Sequence, residues 1–431
     1  MKKIVDFLIH NNEMKNAGWI VGEQIFQMLL SLVVGVLSAR YLGPSNYGSL
    51  NYTASFVSFI TCIATLSLEG VVIKKMITNS EKEGILLGSS IIFRLISSIL
   101  SSISIIVIVA VLNPSDHLKI ILVSLQSLQL IFKSVHVLDC WFQRYLKSKY
   151  VSIGKSLAGF IVATYKISLL ITSKSVIWFA VANSINDFVV SIMLFIFYRK
   201  VDGPKLAYNK KDGILILYES YHFILSGLMT AIYSQMDRIM IGTMLTDYDV
   251  GLYTTATTIC GIWVFIPIAI INSFRPKIME LKKDNNLDYE LRLQQLYSMI
   301  IWLCIVASAF ICIVSPYVIK LLFGIEYIAA ADALRIAIWY ETFAMIGSAR
   351  SIWIICEGKN KYVKYYLGIG AGVNLFLNTT MIPIMGINGA AMATLITQII
   401  TSLIAPLLFK ETKYHTILVL KAFTFQCFFN K

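Results

Sequence analysis

The sequence predicts an all-α integral membrane protein, with about twelve transmembrane helices in two six-helix lobes, on three observations. Only 14% of the 431 residues are charged and 57% are hydrophobic, where a soluble domain carries about 25% charged residues. So few charges cannot coat a surface against water, and the surrounding solvent is lipid. Apolar runs of about 20 residues, the length that crosses a bilayer, recur along the whole chain. Lys and Arg gather in every second connection between those runs, as in a chain threaded back and forth through a membrane.

Taken in order, the runs fall near 17–40, 47–70, 85–112, 118–142, 150–172 and 175–198 in the first half. The second half holds 214–243, 250–274, 293–315, 329–354, 363–384 and 388–409. Ahead of the first run, MKKIVDFLIHNNEMKNAGW has two early lysines but an apolar stretch of only about six residues and no small-residue cleavage site. It is read as retained in the mature chain. The lobes, 1–198 and 213–410, are joined by the basic segment 199–212, RKVDGPKLAYNKKD, and a tail follows at 411–431. Each lobe enters its second span through a similar stretch, ARYLGPSNYGSLNYTAS and MIGTMLTDYDVGLYTTAT, which suits a parallel repeat of two six-helix bundles.

With the N-terminus placed in the cytoplasm, 26 of the 37 Lys and Arg lie on that side, and the other side has only Arg40, Lys119, Lys174 and Lys320. This asymmetry puts both termini in the cytoplasm, with an even number of spans. The longest connection on the opposite side, 316–329, is 14 residues, so the chemistry of the chain lies within the bilayer. The net charge of +13 comes from these short connections. It marks no nucleic-acid-binding domain.

A charge at mid-membrane costs about 2.5–3.5 kcal/mol on insertion scales, so the seven cations inside spans carry information. Arg94, Lys133, Lys166, Arg238 and Arg335 are read as lining a wet, electropositive cavity for an anionic head group. Lys155 and Arg350, nearer span ends, are read as reaching out to the interface. The bland alternative is that these cations pair with buried acids. Lys155 and Lys166 share a helix face about 16 Å apart, and Lys133, His136 and Cys140 share one at helical spacing. Glu23, Arg40, Asp139 and Asp237 are candidates for gating or ion coupling. Asn374 and Asn378 suit hydrogen bonding to a neighbouring helix, the more common reason, or to a sugar, while Pro267 and Pro383 would kink or end helices.

No GxxxxGK[ST], HExxH or GxSxG motif occurs, so neither ATP hydrolysis nor catalysis is expected. His10, His117, His136, His222 and His415 are dispersed, and seven cysteines, Cys427 last, form no CxxC pair. No metal or cofactor is expected.

Several segments carry a resemblance: NAGWIVGEQIFQ (16–27), SARYLGPSNYGSLNY (38–52), LDCWFQRYLKSKY (138–150), SQMDRIMIG (234–242), VGLYTTAT (250–257), FIPIAIINSFRPKI (265–278), LLFGIEY (321–327) and IPIMGINGAAMATLITQ (382–398). In that order they resemble the polysaccharide-export branch of the multidrug/oligosaccharidyl-lipid/polysaccharide (MOP) superfamily, and O-antigen flippases of the Wzx family most closely. The resemblance implies a MATE-like fold working by alternating access. Its substrate would be an undecaprenyl-diphosphate-linked O-antigen unit, moved from the cytoplasmic to the periplasmic leaflet of a bacterial inner membrane. The drive would be an ion gradient or the membrane potential. Membrane lipid, an O-antigen polymerase and a chain-length regulator would be its partners. Arg40, Asp139 and Asp237 fall in matching segments, whereas Lys166 and Arg335 rest on the residue reading alone. Two rivals stand beside this: a drug or cation exporter, for which acids should outnumber cations in the spans, and a polytopic polymerase, for which a large periplasmic loop is expected.

Overall fold

A computed structural model describes residues 12–284 and 286–423. The two N-terminal lysines, His10 and Cys427 lie outside them. Among the described residues there is no strand, and ten helices are long and apolar enough to cross a membrane. The twelve expected runs map onto helices in two ways that lower this count. The first two runs form one helix, α1 (Asn12–Ala64), bent at Gly43 with φ 70°. Glycine takes that left-handed conformation without a Cβ penalty, and Pro44, with its fixed φ and no N–H to lose, begins the second limb. The run near 329–354 forms a helix of 27 residues, Ala330–Cys356, about 40 Å long. Its Asp332, Arg335, Glu341 and Arg350 lower its hydropathy.

The chain packs into two compact units. The first takes the chain up to Leu42 and Ser49–Ala231. After α1 it contains α2 (Glu69–Thr78), α3 (Glu83–Leu112), α4 (His117–Lys133), α5 (Asp139–Arg144), α6 (Ser148–Ile171), α7 (Val176–Ala180), α8 (Ala182–Lys200) and the first part of α9 (Lys210–Met244). α3 packs on α4, and α8 packs on both α4 and α6. Trp141 meets Phe142 and Tyr198 edge-on at 5.3 and 5.2 Å in an apolar core with Leu68, Met76 and Leu87. The basic segment 199–212 runs close along α3. A Cβ on Gly84 would stand 2.1 Å from the Lys205 carbonyl oxygen. Ala207 N–H donates to the Gly84 carbonyl at 3.1 Å, and Tyr198 OH to that of Pro204 at 2.6 Å.

The second unit comprises Gly43–Gly48 and the chain from Ile232. It holds the rest of α9, α10 (Asp247–Ile262), α11 (Phe265–Asp284), α12 (Asn286–Leu322), α13 (Ala330–Cys356), α14 (Val363–Met385), α15 (Ile387–Ile399) and α16 (Lys413–Ala422). α10 begins on a capping box, with Thr246 and Asp249 satisfying each other's backbone N–H groups. The two prolines differ. The helix breaks at Trp263–Val264, where the Pro267 ring would meet the carbonyl four residues earlier. Pro383 lies inside α14, which continues to Met385 and ends at Gly386 with φ 59°.

Arg350 corrects the sequence reading. Instead of reaching the interface it is 9% exposed, with Nη1 donating to the Thr401 carbonyl at 2.6 Å and its guanidinium 4.4 Å above the Tyr366 ring. Residues Ile400–Ile404 form a π turn, whose carbonyls seek N–H groups five residues on. For Thr401 that residue is Pro406, which has none. The arginine takes the freed carbonyl.

α16 seats His415 at 0% exposure, between Tyr297 and Trp353 with both ring centroids 5.4 Å away. Burial, reinforced by the Arg350 charge, holds this imidazole well below its ordinary pKa and therefore neutral. In the unfolded chain it protonates near pH 6.5. A depressed folded value means that its contribution is whole above about pH 6.5 and is lost as pH falls, by up to about 1.4 kcal/mol per unit. The melting temperature in detergent should drop between pH 7 and 5, and His415→Phe should flatten that part of the profile. An unchanged slope in the variant would refute the assignment.

Candidate functional site

Two polar clusters stand out within the helices, one in each unit. The first is built on the seam of α1 and α6. Gln27, Leu30, Ser31 and Val34 recur at helical spacing on α1, and Gly159, Val162, Ala163 and Lys166 do so on α6. With Asn183 and Asn186 at the start of α8 they line a cavity of about 230 Å³. Gly159 lets the seam form, since a Cβ there would lie 2.5 Å from Gln27 Oε1. Gln27 Nε2 donates to the Lys155 carbonyl at 2.6 Å. Among the described residues Lys166 has no carboxylate within ion-pair reach. Its polar neighbours there are three amides and a hydroxyl, beside Leu30, Val34 and Val162. A lone ammonium beside neutral donors and acceptors can take a phosphate oxygen while the amides bond hydroxyls.

Next to this cavity Asp187 is 9% exposed, with Lys133 Nζ at 3.7 Å and His136 Nε2 at 4.0 Å. Lys133 is thus compensated by an acid, and only Lys166 of this pair stays free to act on a ligand. Cys140 leaves the face expected of it and turns to the Glu69 carbonyl at 3.9 Å. The cause is the 3₁₀ stretch Ser134–Leu138, whose three residues per turn break the 3.6 register. Asp139 pairs with Lys155 at 3.2 Å, so Lys155 is held by a partner rather than at the interface. Arg94, 1% exposed, pairs with Glu69 and donates to the Thr65 carbonyl at 2.7 Å. It ties α3 to the end of α1 and the start of α2, and lines neither cavity described here. Glu23 lines a separate groove of α1 and α6. Arg40 is exposed, one turn before the Gly43 bend.

The second cluster surrounds Asp237 on α9, 7% exposed. Its Oδ2 accepts from Tyr253 OH and Thr394 Oγ1, each at 2.6 Å. Its Oδ1 accepts from Asn378 Nδ2 at 2.7 Å and Asn374 Nδ2 at 3.2 Å. Four neutral donors from α10, α14 and α15 thus stabilise one buried carboxylate, and among the described residues no cation is in contact with it. Arg238, a step of about 100° around the helix, instead donates to Thr257 at 3.0 Å. Arg335 pairs with Asp332 on its own helix at 2.9 Å and is 44% exposed.

The five cations read as lining a cavity are divided between the two units. Arg94, Lys133 and Lys166 belong to the first unit, Arg238 and Arg335 to the second. Sequence reasoning missed Gln27, Ser31, Asn183, Asn186, Tyr253 and Thr394. Their signal is amides and hydroxyls at three- and four-residue spacing inside apolar runs, such as Gln27 with Ser31 and Asn183 with Asn186.

Long apolar helices enclosing buried charges and an amide-lined cavity define a multi-pass membrane protein. The chain belongs to the family described as polysaccharide biosynthesis protein, which matches residues 14–282. It is 22% identical over 401 residues to the probable flippase AglR of Haloferax volcanii, covering 89% of this chain and 80% of that one. Among solved structures it is similar to the lipid II flippase MurJ in an inward closed conformation, with TM-score 0.71, 15% identity and coverage of 95% and 92%. It is also similar to an inward-facing multidrug resistance MATE transporter of the MOP superfamily, with TM-score 0.69, 14% identity and coverage of 92% and 95%. The fold is that of the MOP superfamily.

Proposed function

We propose that this chain is a flippase for undecaprenyl-diphosphate-linked O-antigen repeat units, carrying them from the cytoplasmic to the periplasmic leaflet of a bacterial inner membrane by alternating access. The observation that carries this reading is Lys166, an uncompensated ammonium facing a chamber of amides and a hydroxyl. A diphosphate needs the cation, and sugars need the amides. The family description and the flippase relatives point to the same class of substrate. An exporter of cationic drugs, the runner-up, shares the MATE fold, but an unpaired lysine repels its substrates. The polymerase reading has no residue set in its favour. Energy enters through an ion gradient or the membrane potential, and Asp237, whose contacts are all neutral, is the group through which a cation or proton acts.

In a strain lacking this gene, finished lipid-linked units should accumulate on the cytoplasmic face, and polymerised and single-unit surface O-antigen should both vanish. Persistence of lipopolysaccharide capped with single units would move the assignment to the polymerase. In the complemented strain, Lys166→Gln removes a charge-assisted contact of about 1.5–3 kcal/mol and should lower flipping by about tenfold or more. Lys133→Gln removes the nearest cation of Asp187 and should act chiefly on protein level. Wild-type flipping by Lys166→Gln at normal expression would refute the chamber.

A further inference from the structure

The α1–α6 seam opens, on the N-terminal side of the Lys166 chamber, into a mainly apolar groove of about 720 Å³. Lys15 stands at its mouth, and the exposed ammonium of Lys149 sits 5.4 Å above the Trp19 ring, which also lines the groove. Phe26 and Phe160 stand at the far end. From Lys15 to Phe26 the helix rises about 16 Å, half of a hydrocarbon core about 30 Å thick. The groove is about as deep as one leaflet, with its cations at one end.

Its floor explains its width. Gly18 and Gly22 have the four-residue spacing that brings membrane helices together, yet a Cβ added to either would meet nothing within 4 Å. Ser152 and Ser156 repeat that spacing on the facing wall. The protein thus leaves recesses one helical turn, about 6 Å, apart. A straight acyl chain leaves such recesses empty, whereas a methyl-branched chain fills them and gains dispersion contacts. Glu23 lines the groove about 12 Å beyond Lys15, and its carboxylate confines phosphate to the mouth.

We propose that this groove seats the isoprenoid chain of a polyprenyl diphosphate, with the phosphates held by Lys15 and Lys149. The assignment rests on the flippase reading and describes the carrier lipid as it docks, before its diphosphate moves on to Lys166 in the chamber. It is tested on the full chain in nanodiscs with two photoactivatable probes, polyprenyl diphosphate with a diazirine in its isoprenoid chain and phosphatidylglycerol with one in its acyl chain. The isoprenoid probe should label peptides within 15–26 and 152–160, and unlabelled polyprenyl diphosphate should compete it away. Gly18→Leu with Gly22→Leu fills open space with good helix formers and should cut labelling roughly tenfold. Lys15→Gln with Lys149→Gln should weaken it most at low salt. Isoprenoid labelling elsewhere in the wild-type chain, or equal labelling by phosphatidylglycerol, overturns the proposal. A separate flipping assay in proteoliposomes distinguishes the two failures. Flipping with labelling elsewhere sinks only the groove, whereas specific labelling without flipping sinks the flippase reading.

Discussion

Asp237→Ala is expected to destabilise the second unit by about 3–5 kcal/mol and to abolish transport. The carboxylate accepts from Tyr253, Thr394, Asn378 and Asn374, so one deletion removes the shared acceptor of four buried donors on three other helices. Of these donors, Asn374 keeps Thr394 Oγ1 and Asn378 keeps Asn374 Oδ1. Bonds to a charged acceptor are worth about 1.5–3 kcal/mol each, but hydroxyls can rotate to new acceptors and the losses do not add. Asp237→Asn keeps the shape and one acceptor oxygen, so its cost in stability should be roughly half. The two variants separate structure from coupling. If the negative charge carries the ion linkage, Asp237→Asn should fold, insert and lose its dependence on the ion gradient. Melting in detergent, followed by size-exclusion fluorescence, should show Asp237→Ala lowered by more than about 5 °C. A shift under 2 °C (about 1 kcal/mol or less) would mean that the four contacts contribute little.

What the sequence made legible follows from what the bilayer enforces. Hydrocarbon leaves backbone groups no partner but the helix itself, so every long apolar run has to be helical, and run lengths and Lys/Arg placement describe the fold without any knowledge of contacts. The functional residues are less legible because partnership is a tertiary fact. Lys133 and Lys166 read alike in sequence, yet one meets Asp187 and the other a ring of amides. Arg350 lies near the end of its run, the usual place for a side chain that reaches for the interface. Only the π turn ahead of Pro406 creates the carbonyl that draws it inward. Asn374 and Asn378 were visible as a helical pair, and their role in holding Asp237 needed the neighbouring helices. Local patterns of period 3.6 failed where a 3₁₀ stretch changed the period, as at Cys140.

The bend that divides α1 gives the second large expected effect. Segment Gly43–Gly48 packs with the second unit, and Gly48 of the segment and Gly251 of α10 meet backbone rather than side chains. A Cβ on Gly48 would lie 1.7 Å from the Asp247 carbonyl oxygen, and one on Gly251 would lie 2.1 Å from that of Pro44. Neither neighbour is the flexible end of a side chain, so relief requires moving a helix. The segment has little room to yield, because Tyr47 packs edge-on against Tyr327 at 6.4 Å. Tyr248 OH also donates to the Glu326 carbonyl beside it at 3.3 Å. Overpacking of this kind costs about 1–3 kcal/mol, and the backbone contact places Gly251→Ala at the upper end. Gly35→Ala and Gly261→Ala, where an added Cβ meets nothing within 4 Å, should be neutral or gain up to about 1 kcal/mol from helix propensity. Gly48→Ala combined with Gly251→Ala should cost less than the two apart, because the displacement that admits the first methyl admits the second. A melting series over these five variants decides the matter. Strict additivity would mean that the two glycines relieve separate contacts, and a neutral Gly251→Ala would mean that the close approach does not exist.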